Sequence, residues 1–452
     1  MSNKIDYVNE RLPVKQLVPL GLQHVLSMYA GALVVPIVLG GALGLSPQQL
    51  AYLIAADLFT CGIATLIQAY GIGNYAGIKL PTILGCSFVA VGPMIAIGTA
   101  ANVSSGVQGL TIIYGATIIS GLLLWAVSGL FGKLTRFFPP VVTGTVITVV
   151  GLSLIPLALD NAAGGANNAD YGDPKNLLLA VFVLGVVIFM NRFFKGFLQS
   201  ISVLVGLLAG TIVAYFLGMV NFEEIRHAGW FELILPFHFG MPEFRLDAII
   251  SLTLVAIVTS VEAIGVFLGL GEICDKEISE KDIIKGLRAE GIAKTMGGLF
   301  NSFPYATFSQ NVGLVTLSGV KSRFVCVAAG FILIVLGVIP KFAALGTAIP
   351  MSVLGGATLA MFGMVAVSGI RILSGVDFSK QGNLIIIAVS IAIGLGCKVS
   401  QGALANLPDG LKMIFQDGII SASLFAIVLN ILFNFKDIKK SSTEGSSEAV
   451  AE

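Results

Sequence analysis

The stretch Ser302 to Gly319, SFPYATFSQNVGLVTLSG, sets a strand-like Pro-Tyr-Ala-Thr-Phe run, then Ser309, Gln310 and Asn311, inside otherwise apolar sequence. Upstream, Glu262 stands mid-way through LVAIVTSVEAIGVFLG, Glu290 in GLRAEGIAKTMGGLF, and Gln23 and His24 lie early in the first apolar stretch. Carboxylates and amides buried in apolar surroundings are costly, so each is a functional candidate. A carboxylate only accepts hydrogen bonds, whereas an amide also donates, so Glu262 with Gln310 could hold a small polar molecule by complementary bonds. Glu262 has no basic residue in its own stretch to neutralise it. Glu290 follows Arg288 and the Lys281 to Lys285 segment, with Lys294 one turn on, so both a salt bridge and a titrating role are open to it. His24 is open to two readings as well, an interhelical hydrogen bond or a proton carrier. Asp57 is a further intraspan carboxylate whose role stays open.

The elements that must position these residues follow from composition. Hydrophobic residues make up 56% of the 452-residue chain, charged residues 11%, and mean hydropathy is +0.93. Soluble domains carry about one-quarter charged residues, and no water-soluble fold hides so much apolar surface. Apolar windows recur from Leu17 to Phe435, each long enough to cross a hydrocarbon core about 30 Å thick. They predict an all-α polytopic membrane protein of about fourteen transmembrane segments. The first window is too long for a cleaved leader and is expected to stay.

Two windows are interrupted. One contains LPTILGCSFVAVGPM from Leu80, with Pro81 and Pro93 framing Gly85, Cys86, Ser87 and Phe88; the other is the Ser302 segment, with Pro304 ahead of Tyr305. They are the third and tenth windows. Gly and Pro interruptions at corresponding places in two halves point to an inverted repeat with a midplane site, here seven plus seven. Each break predicts a short antiparallel strand followed by a half-helix whose free N–H groups face the membrane centre. Non-helical backbone at that depth survives only buried in protein or lining a cavity. Cys86 is open to either place, a cavity wall or a small buried hydrophobe.

Lys and Arg orient the chain. With both termini cytoplasmic, the outer side keeps only Lys175, Arg226, Arg245, Lys341, Lys398 and Lys412, while Lys294 lies within a span and the other basic residues fall inside. That asymmetry is the positive-inside pattern and requires an even number of spans. The net charge of +1 leaves nothing for nucleic acid. Five scattered cysteines suggest neither a disulfide framework nor a zinc site, and no cofactor or metal is expected. The tail SSTEGSSEAVAE has a disordered composition.

These residues together resemble the nucleobase-ascorbate transporters, also called the nucleobase:cation symporter-2 family, in its xanthine-type branch. The family signature, Q/E-N-x-G followed after four positions by T and R/K/G, stands here as Gln310, Asn311, Val312, Gly313, Leu314, Val315, Thr316, Leu317, Ser318 and Gly319, with Ser318 in place of Thr. Gln23-His24, LPTILGCSF, Glu262-Ala263-Ile264-Gly265 and Arg288-Ala289-Glu290-Gly291 match in order, so the resemblance runs from Leu12 to about Asn434. It implies a core domain of spans one to four (17–135) and eight to eleven (247–346). It implies a gate domain of spans five to seven (136–220) and twelve to fourteen (347–435). An outer loop (221–246), an N-terminal segment (1–16) and a cytoplasmic tail (436–452) complete the chain. It further implies that Glu262 and Gln310 hydrogen-bond the base, that Phe88 stacks on it, and that backbone N–H groups near Ser87 and Ser309 complete recognition. Gln23 and Asn311 support the site. Glu290, His24 and Glu262 take part in proton coupling, and the protein is a homodimer in the lipid bilayer. Val266 departs from relatives that carry Asp there.

A purine dione alternates N–H donors with carbonyl acceptors, which a carboxylate beside an amide matches. The expectation is therefore proton-coupled uptake of xanthine by an elevator-like alternating-access cycle, with uric acid second and uracil third. A channel would offer rings of repeated ligands, and a membrane enzyme would show one of the familiar catalytic motifs; neither is present.

Overall fold

The computed structural model describes residues 7–100, 102–130, 138–166, 168–404, 406, 415 and 418–448, with the side chains of Glu224, Gln310, Leu317, Gln401 and residues 435–448 outside that description. Lys412 and the expected boundary at 135–136 also lie outside the described residues. Long helices dominate: α1 (Val14–Ala42), α2 (Pro47–Ala69), α4 (Gly106–Val127), α5 (Pro140–Ala162) and α6 (Pro174–Phe193) in the first half. The second half has α8 (Leu246–Ile273), α9 (Glu280–Leu299), α13 (Met351–Leu373) and α14 (Gln381–Val399). Among the described residues eight helices are long and apolar enough to cross a membrane, and α11 (Phe324–Val338) with α12 (Pro340–Thr347) passes as one segment bent by 77°. Two shorter apolar helices, α7 (Ser202–Phe216) and Gly418–Asn434, join them.

The third and tenth segments are broken as expected. The third is strand β1 (Leu84–Cys86), a 3-10 turn (Phe88–Ala90) and α3 (Val91–Gly98); the tenth is strand β2 (Tyr305–Thr307) and α10 (Gln310–Ser318). Helix α9, less apolar than the others, runs up to the tenth segment. The strands pair antiparallel in the register Leu84 with Thr307, Gly85 with Ala306 and Cys86 with Tyr305. Two backbone bonds extend the ladder, from the Ser87 amide to the Pro304 carbonyl (3.0 Å) and from the Phe308 amide to the Ile83 carbonyl (2.9 Å). The chain is thus an all-α polytopic membrane protein whose only sheet, among the described residues, is this two-stranded one.

Chain packing forms two compact units, 1–126 with 156–361 and 127–155 with 362–452. Every residue singled out above for the site falls in the first. This grouping places 156–220 and 347–361 with the first unit, where the resemblance assigns them to a gate. Inside the first unit, α2 lies along α11, and a Cβ on Gly62 would come within 2.5 Å of the Gly330 carbonyl oxygen. Close backbone approach through small residues is how membrane helices pack, because lipid supplies no hydrophobic drive between them.

The loop between α7 and α8 is tied down. Its Glu232 and Phe237 amides donate to the Val338 and Leu299 carbonyls (both 3.1 Å), and the Leu235 amide donates to the Tyr52 hydroxyl (2.9 Å). The last helix continues past non-helical dihedrals at Asn434 to Glu448, where composition alone reads as a disordered tail.

Candidate functional site

The site is built on the paired strands. Because β1 and β2 are only three residues each, their pairing cannot hold by itself, and buried side chains from α2 and α9 fasten it. On α2, Asp57, Cys61, Thr65 and Gln68 recur at helical spacing and form one polar stripe. The Cys61 thiol donates to the Leu84 carbonyl (2.6 Å), and the Thr65 hydroxyl accepts from the Leu84 amide (3.2 Å). Gln68 accepts from the Ile78 amide and donates to the Gly286 carbonyl (both 3.2 Å). Asp57, with no exposed surface, accepts from the Cys86 thiol at Oδ2 (2.8 Å) and from the Ser302 and Tyr305 hydroxyls at Oδ1 (2.6 and 2.9 Å).

From the other side, α9 brings Glu290, also without exposed surface. Its Oε1 accepts from the Thr307 amide (3.1 Å) and hydroxyl (2.7 Å), and its Oε2 pairs with Lys294 Nζ at 3.1 Å. Both members of that ion pair are fully enclosed. Arg288, the nearer basic residue in sequence, instead lies over the Tyr75 ring at 4.8 Å. Glu290 therefore has the salt bridge that the sequence left open, and the partner is Lys294.

Glu262 differs from both. It sits on α8, which packs against β2, α10, α3 and the 3-10 turn at Phe88. Its side chain is half-buried, and no hydrogen bond reaches it among the described residues. The half-helix starts carry free donors as well. The amides of Val89 and Ser309 find no acceptor among the described residues, whereas the Ser87 amide is used by Pro304. The Ser87 side chain is buried and that of Ser309 half-buried. Gln310 begins α10; its side chain lies outside the described ones.

Phe88 is nearly buried, its ring 6.0 Å from that of Phe308 at an interplanar angle of 51°. Two glycines make room for this pair: a Cβ on Gly31 would meet the tips of both rings at 2.9 and 3.2 Å, and one on Gly85 would meet Phe308 at 2.6 Å. His24 is buried and joins Asn311, whose Nδ2 lies 3.1 Å from Nδ1 and 3.3 Å from the His24 carbonyl oxygen. The carbonyl can only accept, so the amide donates there, and Nδ1 acts as the acceptor of a neutral ring. The interhelical role of His24 is thus realised. Gln23 is half-buried on α1, and Ser27, one turn on, has a buried hydroxyl without a partner.

Sequence reasoning missed the clamp made by Asp57 and Cys86 and the glycines behind the phenylalanines. The spacing Asp57, Cys61, Thr65, Gln68 was a usable signal. Cys86 is buried as a small hydrophobe would be, but it also donates a hydrogen bond. A cavity of about 440 Å³ lined by Gln48, Tyr52, His227, Glu232 and His238 contains none of the expected site residues. Among the described residues no group of three or more His, Cys, Asp or Glu side chains is placed to hold a metal.

Broken spans meeting at a strand pair, with free helix-start donors on elements that pack against the helix of a carboxylate, form an arrangement suited to a transporter. Comparison with known proteins agrees. The family model Xan_ur_permease, described as a permease family, matches residues 15–402, and the chain belongs to that family, the nucleobase:cation symporter-2 transporters. It is 49% identical to the xanthine permease of Bacillus subtilis over 426 residues, covering 94% of this chain and 95% of that one. It is 50% identical to the uric acid permease PucK of the same organism over 421 residues, covering 93% and 96%. Among solved structures, the transmembrane domain of the cyanobacterial bicarbonate transporter BicA matches with a TM-score of 0.60 at 18% identity, over 94% of this chain and 100% of that one. That likeness concerns the fold.

Proposed function

We propose that the protein takes up xanthine across the cell membrane, coupled to protons, by elevator-like alternating access. The observation that carries this reading is the state of Glu262. Of the three carboxylates the sequence placed within spans, Asp57 and Glu290 are sealed and fully bonded, while Glu262 is half-buried, has no hydrogen bond among the described residues, and sits on the helix that packs against both half-helices. An unbonded carboxylate inside a membrane protein needs a partner, and a purine N–H is one. Gln310 would answer with its amide, Phe88 would stack on the ring, and amides near Ser87 and Ser309 would reach the carbonyls, with Gln23 and Asn311 in support.

Proton coupling is assigned to Glu262, Glu290 and His24. In this arrangement Glu262 is the accessible member; Glu290 can take a proton only when its pair with Lys294 opens. The core and gate division is proposed as a division of motion rather than of packing, with both termini cytoplasmic and the working unit a homodimer. Uric acid is the second reading, favoured by the equal identity to a uric acid permease. Uptake of labelled xanthine into cells, competed by unlabelled uric acid, guanine, hypoxanthine and uracil, tests both. Saturable xanthine uptake that none of these bases strongly displaces supports the first reading, strong displacement by uric acid the second, and no saturable uptake overturns them together.

A further inference from the structure

The clamp at the strand pair has a feature that neither strand could supply. Cys86 and Tyr305 are direct cross-strand partners, and both donate to the same carboxylate, that of Asp57 on the unbroken helix α2. The Tyr305 hydroxyl also lies 2.9 Å from the Asp57 carbonyl oxygen and 2.7 Å from the Ser302 hydroxyl, so every polar atom in the cluster is engaged. Asp57, Ser302 and Tyr305 have no exposed surface, and Cys86 is 1% exposed. No cation bonds to Asp57 among the described residues; neutral donors alone hold it. One residue beyond Cys86 lies Ser87, and then Phe88 with the first half-helix; a few residues beyond Tyr305 lie Ser309 and Gln310 with the second. A shift of the strand register by one residue would exchange the two faces of each strand and reorient both half-helix starts with them.

We propose that Asp57 is a positioning residue for the substrate site: its carboxylate joins Cys86 on β1 to Ser302 and Tyr305 at β2, and so sets how the two half-helix starts face each other. The inference rests on the nucleobase-transport reading for its kinetic consequences, but the clamp itself is independent of the substrate. Asp57 touches no substrate. It acts through the strands, which are otherwise too short to set their own register.

The decisive variant is Asp57→Asn with and without Cys86→Ser. An amide in place of the carboxylate turns one acceptor into a donor that faces the Cys86 thiol, a poor acceptor; a serine hydroxyl there can accept instead. In purified protein reconstituted into liposomes, Asp57→Asn should raise the KM for xanthine about tenfold, the scale of one lost bond to a charged group. The double variant should return to within about threefold of Cys86→Ser alone. A merely structural role would lower yield and melting temperature and leave KM in place. A charge or proton role would leave the double variant as impaired as Asp57→Asn. Either result overturns the proposal.

Hydrogen exchange of peptides covering 84–87 and 304–308 gives a readout that needs no transport. It should speed up in Asp57→Asn and recover in the double variant, and unchanged exchange overturns the clamp. If wild-type protein carries no nucleobase, the transport reading fails and the exchange measurement alone decides. Should Asp57→Asn fail to reach the membrane, Tyr305→Phe, which removes one donor and adds nothing, decides instead: faster exchange in both peptides supports the clamp, and wild-type exchange overturns it.

Discussion

Glu262 and Glu290 lie in neighbouring helices, yet their surroundings give them opposite tasks. Glu262 has no hydrogen bond among the described residues; if it holds the base as proposed, Glu262→Gln should reduce xanthine affinity about tenfold or more, because bonds to a charged acceptor contribute roughly 1.5 to 3 kcal/mol. Binding of labelled xanthine to purified protein checks this, and wild-type affinity would remove Glu262 from the site. Gln310→Glu should place two acceptors face to face at a substrate carbonyl. Xanthine uptake then falls much more than protein yield does, and unchanged competition profiles for every base would place Gln310 elsewhere.

Glu290 is different because its charge is already matched. Removing one member of a buried pair costs about 3 to 5 kcal/mol, so Lys294→Met should sharply lower the yield of folded protein, and Glu290→Gln in the same chain should restore it. Fluorescence-detected size exclusion reads both. Proton-driven accumulation by the restored double variant then tests coupling, since accumulation at the wild-type level would leave Glu290 a structural partner of β2.

At the scale of elements, the strand pair, the two aromatic rings and α1 form one close-packed block. A methyl group on Gly85 would overlap the Phe308 ring, and Phe308 in turn touches Phe88. Overpacking a full core costs about 1 to 3 kcal/mol. Gly85→Ala should therefore displace Phe308 and Phe88 together and raise the KM for xanthine, with the membrane yield little changed. A normal KM would show that the rings shift without disturbing the substrate position. The polar stripe of α2 explains why this block can be rigid in a medium that satisfies no backbone group. Leu84, at the start of β1, has both its amide and its carbonyl bonded to α2 side chains.

For the whole molecule, the proposal requires that accumulation follow the proton gradient. A protonophore should abolish concentrative uptake of xanthine by intact cells while exchange of internal for external xanthine persists; unaffected accumulation would exclude proton coupling. In the proposed cycle, Glu290 sealed by Lys294 and His24 buried against Asn311 leave Glu262 to take the first proton.

The apolar windows alone were enough to determine the polytopic helical class, the two broken spans and the strands within them, because hydrocarbon allows so few solutions for backbone polar groups. Glu262, Glu290, His24 and the Gln310-Asn311 pair were legible for the same reason: polar side chains in such sequence are conspicuous. What each does was not legible. His24 and Asn311 are 287 positions apart, and Asp57 and Tyr305 248 apart; only tertiary contact reveals that one pair joins α1 to α10 and the other locks the strands. Lys294, one helical turn from Glu290, shares its face of α9 whereas Arg288, two residues away, does not, and it is Lys294 that pairs with Glu290 in the fold. A sequence shows where a charge is, but whether it is matched, bonded or left waiting for a ligand depends on neighbours that folding brings from elsewhere in the chain.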